Sequence, residues 1–102
     1  MSLFLLPPRH LDHSTASIST ASTLALAASE SRVYVLLIND SSSDMYLRIG
    51  ADAVMNEGIR INAEGGSYEM SILMGNVSDL VINAVHAGVG TKILLVLEGH
   101  NR

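Results

Sequence analysis

At 102 residues the chain has room for one domain. A domain this small buries only roughly two-thirds of its unfolded surface, which leaves a stability of about 5–10 kcal/mol. The net charge of −4 and six basic residues scattered singly (Arg9, Arg32, Arg48, Arg60, Lys92, Arg102) argue against nucleic acid as a partner, and the lack of cysteine excludes a disulfide framework or a thiolate metal site. Yet 48% of the residues are hydrophobic and only 16% charged, richer in apolar groups than a small, surface-dominated domain needs by itself, so part of the surface is expected to meet a partner.

Met1 to Ala21 reads as an extended N-terminal arm preceding a domain over 22–102. Leu3-Phe4-Leu5-Leu6 is an apolar tetrad stopped by Pro7-Pro8, which cannot continue a helix or an interior strand. The tetrad is too short and lacks the basic lead of a signal peptide, and no apolar run approaches the ~20 residues of a membrane span. A soluble product made in a cytoplasm, with no membrane partner, is therefore expected. Arg9 to Ser22 carries His, Ser, Thr and Ala with little to bury. The segment reads either as a frayed tail or as a docking arm; because an exposed apolar tetrad is an aggregation liability, Leu3 to Leu6, with Pro7 and Pro8, are expected to dock on a neighbouring subunit.

A first short strand is expected at Ser22–Ala27, where Leu24 and Leu26 alternate with Thr23 and Ala25. Val33 to Ile38 is a run of β-branched, aliphatic and aromatic residues, the composition of a packed strand. Asn39 to Asp44 are turn-formers throughout, and Met45, Leu47 and Ile49 alternate after them, so a β-hairpin spanning Arg32–Gly50 is expected at the centre of the domain. Ala53–Met55 suggests a further short strand, followed by Ile59–Asn62, a glycine turn at Gly65-Gly66, and a return strand at Tyr68–Ile72. Leu73–Asp79 is a loop, and Leu80–Val85 and Ile93–Leu97 complete the series. Six to eight short strands with Gly/Asn/Ser/Asp turns indicate an all-β domain, an antiparallel sandwich or small barrel of jelly-roll or immunoglobulin-like kind.

Three of these segments, Val33–Ile38, Leu80–Val85 and Ile93–Leu97, are apolar on both faces, whereas a strand in a two-sheet sandwich needs only one apolar face. Leaving each extra aliphatic side chain in water forgoes roughly 1.5–3 kcal/mol. A homo-oligomer or an obligate partner is therefore expected, with Tyr34, Leu36, Ile38, Leu94 and Val96 at the contact.

Chemistry is sparse. His10 and His13, with Asp12, supply too few convergent ligands for a metal site, and His86 and His100 read as surface groups. Asn39–Asp44 lacks the glycine and the terminal glutamate of a calcium loop. Gly65-Gly66 and Gly88–Lys92 lack the spacing of phosphate loops, no Gly-x-Ser-x-Gly elbow surrounds a serine, and no acidic pair stands out. No catalytic, cofactor or metal residue is expected, and no small-molecule substrate.

The order of features from Ser22 to Glu98 resembles small accessory virion proteins of tailed bacteriophages: a Ser/Thr-rich arm, Arg32–Asn39 with its Ser/Asp turn, Met45–Gly50, Gly58–Ile61, Gly65-Gly66-Ser67-Tyr68-Glu69 and a final apolar strand. That resemblance implies a β-sandwich assembling in symmetric copies on the virion against major capsid or neck and tail proteins. The leading expectation is a non-enzymatic capsid decoration or cement protein. The alternative is a receptor- or glycan-binding module, or a neck, tail or fibre component. The Leu3–Pro8 tip has no counterpart in that pattern.

Overall fold

A computed structural model describes residues 8–102. Eight strands form in chain order: β1 (His10–Ile18), β2 (Thr23–Leu26), β3 (Arg32–Asn39), β4 (Met45–Ile49), β5 (Ile59–Ile61), β6 (Ser67–Ser71), β7 (Ile82–His86) and β8 (Lys92–His100). They make two four-stranded antiparallel sheets, ordered β1-β8-β3-β6 and β2-β7-β4-β5. The first and last strands pair, as do the second and seventh, the third and sixth, and the fourth and fifth. This is the pairing of one long antiparallel hairpin rolled on itself, the jelly-roll form of the β-sandwich.

The strands form where side chains alternate. Val35 and Leu37 of β3, Met45 and Leu47 of β4, Met70 of β6, Ile82 and Ala84 of β7 and Leu94 and Val96 of β8 point inward and make the single core, joined by Ala16, Ile18 and Ile61. No buried side-chain nitrogen or oxygen among the described residues lacks a hydrogen-bond partner.

The connections differ from the expected ones. β3 and β4 belong to opposite sheets, so Asn39–Asp44 is an arch across the sandwich rather than a hairpin turn. The buried Asn39 amide pins it, donating to the carbonyls of Ser43 at 2.8 Å and Ile61 at 3.0 Å while its oxygen accepts from Ser41 Oγ. Gly65-Gly66 likewise joins β5 to β6 in opposite sheets. Gly65 adopts a positive φ of 102°, and Gly66 lies where a Cβ would come within 2.5 Å of the Asn62 backbone, so the two glycines serve different needs. Of successive strands only β4 and β5 pair, across a loop that takes in Ala53–Met55, which form no strand.

His10–Ile18, expected in the arm, is an edge strand paired along its length with β8, and it sends Ala16 and Ile18 into the core. The sandwich therefore begins well before residue 22. β1 and β8 each run nine residues, against three to five in the opposing sheet. At about 3.3 Å per residue they overhang it, and one end of their inner face projects past the core.

Candidate functional site

Register fixes which side chains of the first sheet face away from the core. Leu36 of β3 stands opposite Leu97 of β8, and Ile38 opposite Leu95, while His13 and Thr15 of β1 pair with Leu97 and Leu95 from the other side. These six residues line a shallow hollow of about 450 Å³ on the outer face. Leu36, Ile38, Leu95 and Leu97 are each partly exposed there, with Ile93 at 40% exposure beyond them. No Asp, Glu, Lys or Arg projects outward from β1, β8 or β3 over this surface; the nearest acid is Glu69 of β6, opposite Leu36, which accepts a hydrogen bond from Tyr34 Oη.

The second sheet's outer face is different. Tyr46, Arg48, Arg60 and Asn83 project from it, Arg48 pairs with Glu57 at 2.7 Å, and Asn83 donates to the Ala51 carbonyl. Val85 on that face is only 3% exposed, so the strand part of Leu80–Val85, expected to need an outside cover, is sealed within the chain, while Leu80 lies in the preceding loop and is 52% exposed.

The expected contact residues divide accordingly. Tyr34, Leu36 and Ile38 do face outward. Leu94 and Val96 do not: they are core residues, and Ile93, Leu95 and Leu97 take the outer face in their place. Ile93–Leu97 is apolar on both faces, so its alternation carries no sign, and only pairing with β3 tells inside from outside. Leu3, Phe4, Leu5, Leu6 and Pro7 lie outside the described residues. Pro8 packs over Gly99 beside Tyr34, at one end of the apolar face.

A second constellation sits where β1 and β8 overhang. Asp12 stands opposite Glu98 and His10 opposite His100, all with inward-face parity but past the core. His100 Nε2 lies 3.1 Å from Glu98 Oε1 and 3.3 Å from Asp12 Oδ2. His100 Nδ1 meets Ser31 Oγ at 2.8 Å, and Asp12 Oδ1 meets His10 Nε2 at 2.8 Å. Arg32 enters the cluster because a bulge between Arg32 and Tyr34 inserts Val33 and turns the guanidinium inward. Its Nε donates to Glu98 Oε2 at 2.8 Å, and its terminal nitrogens donate to the carbonyls of Ser78, Leu80 and Ala27. The oxygen and nitrogen ligand atoms of Asp12, Glu98 and His100 all lie within 4.8 Å of one another.

His10 and His13, too few by themselves for a metal site, are also kept apart by parity. Three residues apart on a strand they point to opposite faces, and it is His100, far along the chain, that joins His10 and Asp12. The strand runs to His100, expected to be a surface group, whose side chain is only 13% exposed. His86, expected at the surface, is buried: its Nδ1 accepts from Gly88 N–H, which leaves Nε2 to donate to the Gly90 carbonyl and close that turn. Within Asn39–Asp44 the side-chain oxygens of Asn39, Ser41 and Asp44 are engaged in the arch, with Asp44 Oδ1 accepting from Ala63 N–H.

Comparison with family models, with curated proteins and with solved structures finds no match to this chain.

Proposed function

We propose that the chain is a non-enzymatic structural protein that assembles in symmetric copies through the outer face of its first sheet, as a decoration or cement protein on the capsid of a tailed bacteriophage. The observation that carries the assembly is the contrast between the two outer faces: one uncharged, with Leu36, Ile38, Leu95 and Leu97 grouped around a hollow, the other set with Tyr46, Arg48, Arg60 and Asn83 and exposing Leu24 singly at its edge. A face without charge suits a second copy of itself, since a chain of net charge −4 meets no like-charge repulsion across it. The virion setting rests on the sequence resemblance and is in keeping with a jelly roll, an architecture used by viral capsid domains but also by lectins, so fold alone does not choose.

Light scattering on the purified chain should show a discrete oligomer, and Leu36→Lys with Leu97→Lys should convert it to a monomer with an unchanged far-UV spectrum. A stable wild-type monomer at high concentration would remove the assembly reading. Locating the chain in purified particles tests the setting: regular occupancy over the shell supports decoration, while occupancy confined to fibre tips supports the receptor- or glycan-binding alternative.

A further inference from the structure

The Asp12, Glu98 and His100 cluster is more than a set of surface ion pairs. Two carboxylates placed directly opposite on neighbouring strands repel, and Arg32 supplies one positive charge against their two. The two carboxylates are left one charge short of neutral, which favours a further cation between the strands. From these observations we infer that Asp12, Glu98 and His100 form a binding site for a divalent transition-metal ion of the zinc class, clamping the edge strand β1 to β8.

Geometry supports this at three points. Ligand bonds to zinc of about 2.0–2.2 Å give a tetrahedron with edges of roughly 3.3–3.5 Å, close to the 3.3 Å and 3.1 Å separating His100 Nε2 from the two carboxylate oxygens. The opposite polar atom of each group is held elsewhere: His100 Nδ1 by Ser31, Glu98 Oε2 by Arg32 and Asp12 Oδ1 by His10. Such outer partners fix the tautomer and aim ligands, and here they leave Nε2, Oε1 and Oδ2 converging. Finally, the site is open on one side. The His100 and Glu98 side chains are 13% and 10% exposed but Asp12 is 53% exposed, so an ion can enter from water and keep water as its remaining ligand. One nitrogen and two oxygens suit zinc or manganese better than the softer thiolate-seeking ions.

The competing occupant is a proton on His100 shared between the two carboxylates, and titration separates the two. After dialysis against a chelator, Zn²⁺ should bind the intact chain with a stoichiometry of one and raise its melting temperature, and Co²⁺ should give the intense visible bands of a tetrahedral site. Asp12→Asn, a change at an exposed position, and His100→Ala should each weaken binding at least tenfold, and Ser31→Ala about tenfold. His13→Ala, on the opposite face, should leave it unchanged. The site is overturned by the absence of saturable binding, by binding that survives both Asp12→Asn and His100→Ala, or by a Co²⁺ spectrum no different from the aquo ion.

Discussion

Arg32 shows how one side chain can serve two purposes that separate on substitution. Its guanidinium neutralises Glu98 and also ties three loop carbonyls, those of Ala27, Ser78 and Leu80, to the end of the first sheet. Arg32→Met leaves a carboxylate buried without its cation, which should cost about 3–5 kcal/mol in urea unfolding, a large share of the whole. Arg32→Met with Glu98→Leu should recover only part of that, because the carbonyls stay undonated; full recovery would show that the ion pair alone mattered. Lysine is no substitute, since one ammonium cannot reproduce the planar fork. Tyr34 offers a gentler test. Its phenol donates to Glu69, and that bond, with a little desolvation and the carboxylate's charge, raises the phenol pKa above its ordinary 10.0. The folded chain holds this proton more firmly than the unfolded chain does. The stabilisation is therefore intact below pH 10.0 and lost as pH climbs through the higher folded value. Alkaline unfolding curves of wild type and Tyr34→Phe should converge there, and a constant gap through that range would discount the bond.

At the scale of elements, the strands were legible because their signals are local: alternation at Met45–Ile49 and Tyr68–Met70, and a β-branched run at Val33–Ile38, lie within a few residues. Pairing was not. The polar segment Asn39–Asp44 would suit a hairpin as well as an arch, and what selects the arch is the fit of Asn39 between the two sheets, with Ile61 supplying a carbonyl from a strand 22 residues away. Asn39→Ala should thus cost about 1–3 kcal/mol by removing the amide that donates to the Ser43 and Ile61 carbonyls at the crossing, while Asp40→Ala, exposed beside it, should stay within about 0.5 kcal/mol. Equal effects in thermal melts would mean that the segment is only a linker. The same limit hid the Asp12–Glu98–His100 cluster. Its members lie at opposite ends of the chain and meet only because β1 pairs with β8 in one register; a shift of one residue would put Asp12 on the outer face. It also hid Arg32, whose inward aim comes from a bulge that alternation alone does not announce.

For the whole molecule, the apolar outer face can be weighed against what association requires. Covering a fully exposed aliphatic side chain is worth roughly 1.5–3 kcal/mol, but Leu36, Ile38, Leu95 and Leu97 are already mostly covered, so at most about a third of that remains for each. The four from each of two copies together supply at most about 4–8 kcal/mol, near the low end of the roughly 4–15 kcal/mol that ordering two bodies costs. The hollow alone therefore makes a weak contact, and tight assembly needs more apolar area than the described residues present there. The sequence holds that reserve in Leu3, Phe4, Leu5 and Leu6, which precede Pro8 at the end of this same face. Deleting residues 1–7 should therefore weaken self-association at least tenfold in sedimentation equilibrium and leave the melting temperature of the dilute chain unchanged. In the full-length chain the melting temperature should rise with protein concentration, because association stabilises the folded form by mass action, and that slope should flatten in the truncated one. A truncated chain that associates as tightly as the full one would place the whole interface on the sheet face and leave the leading tetrad without a part in it.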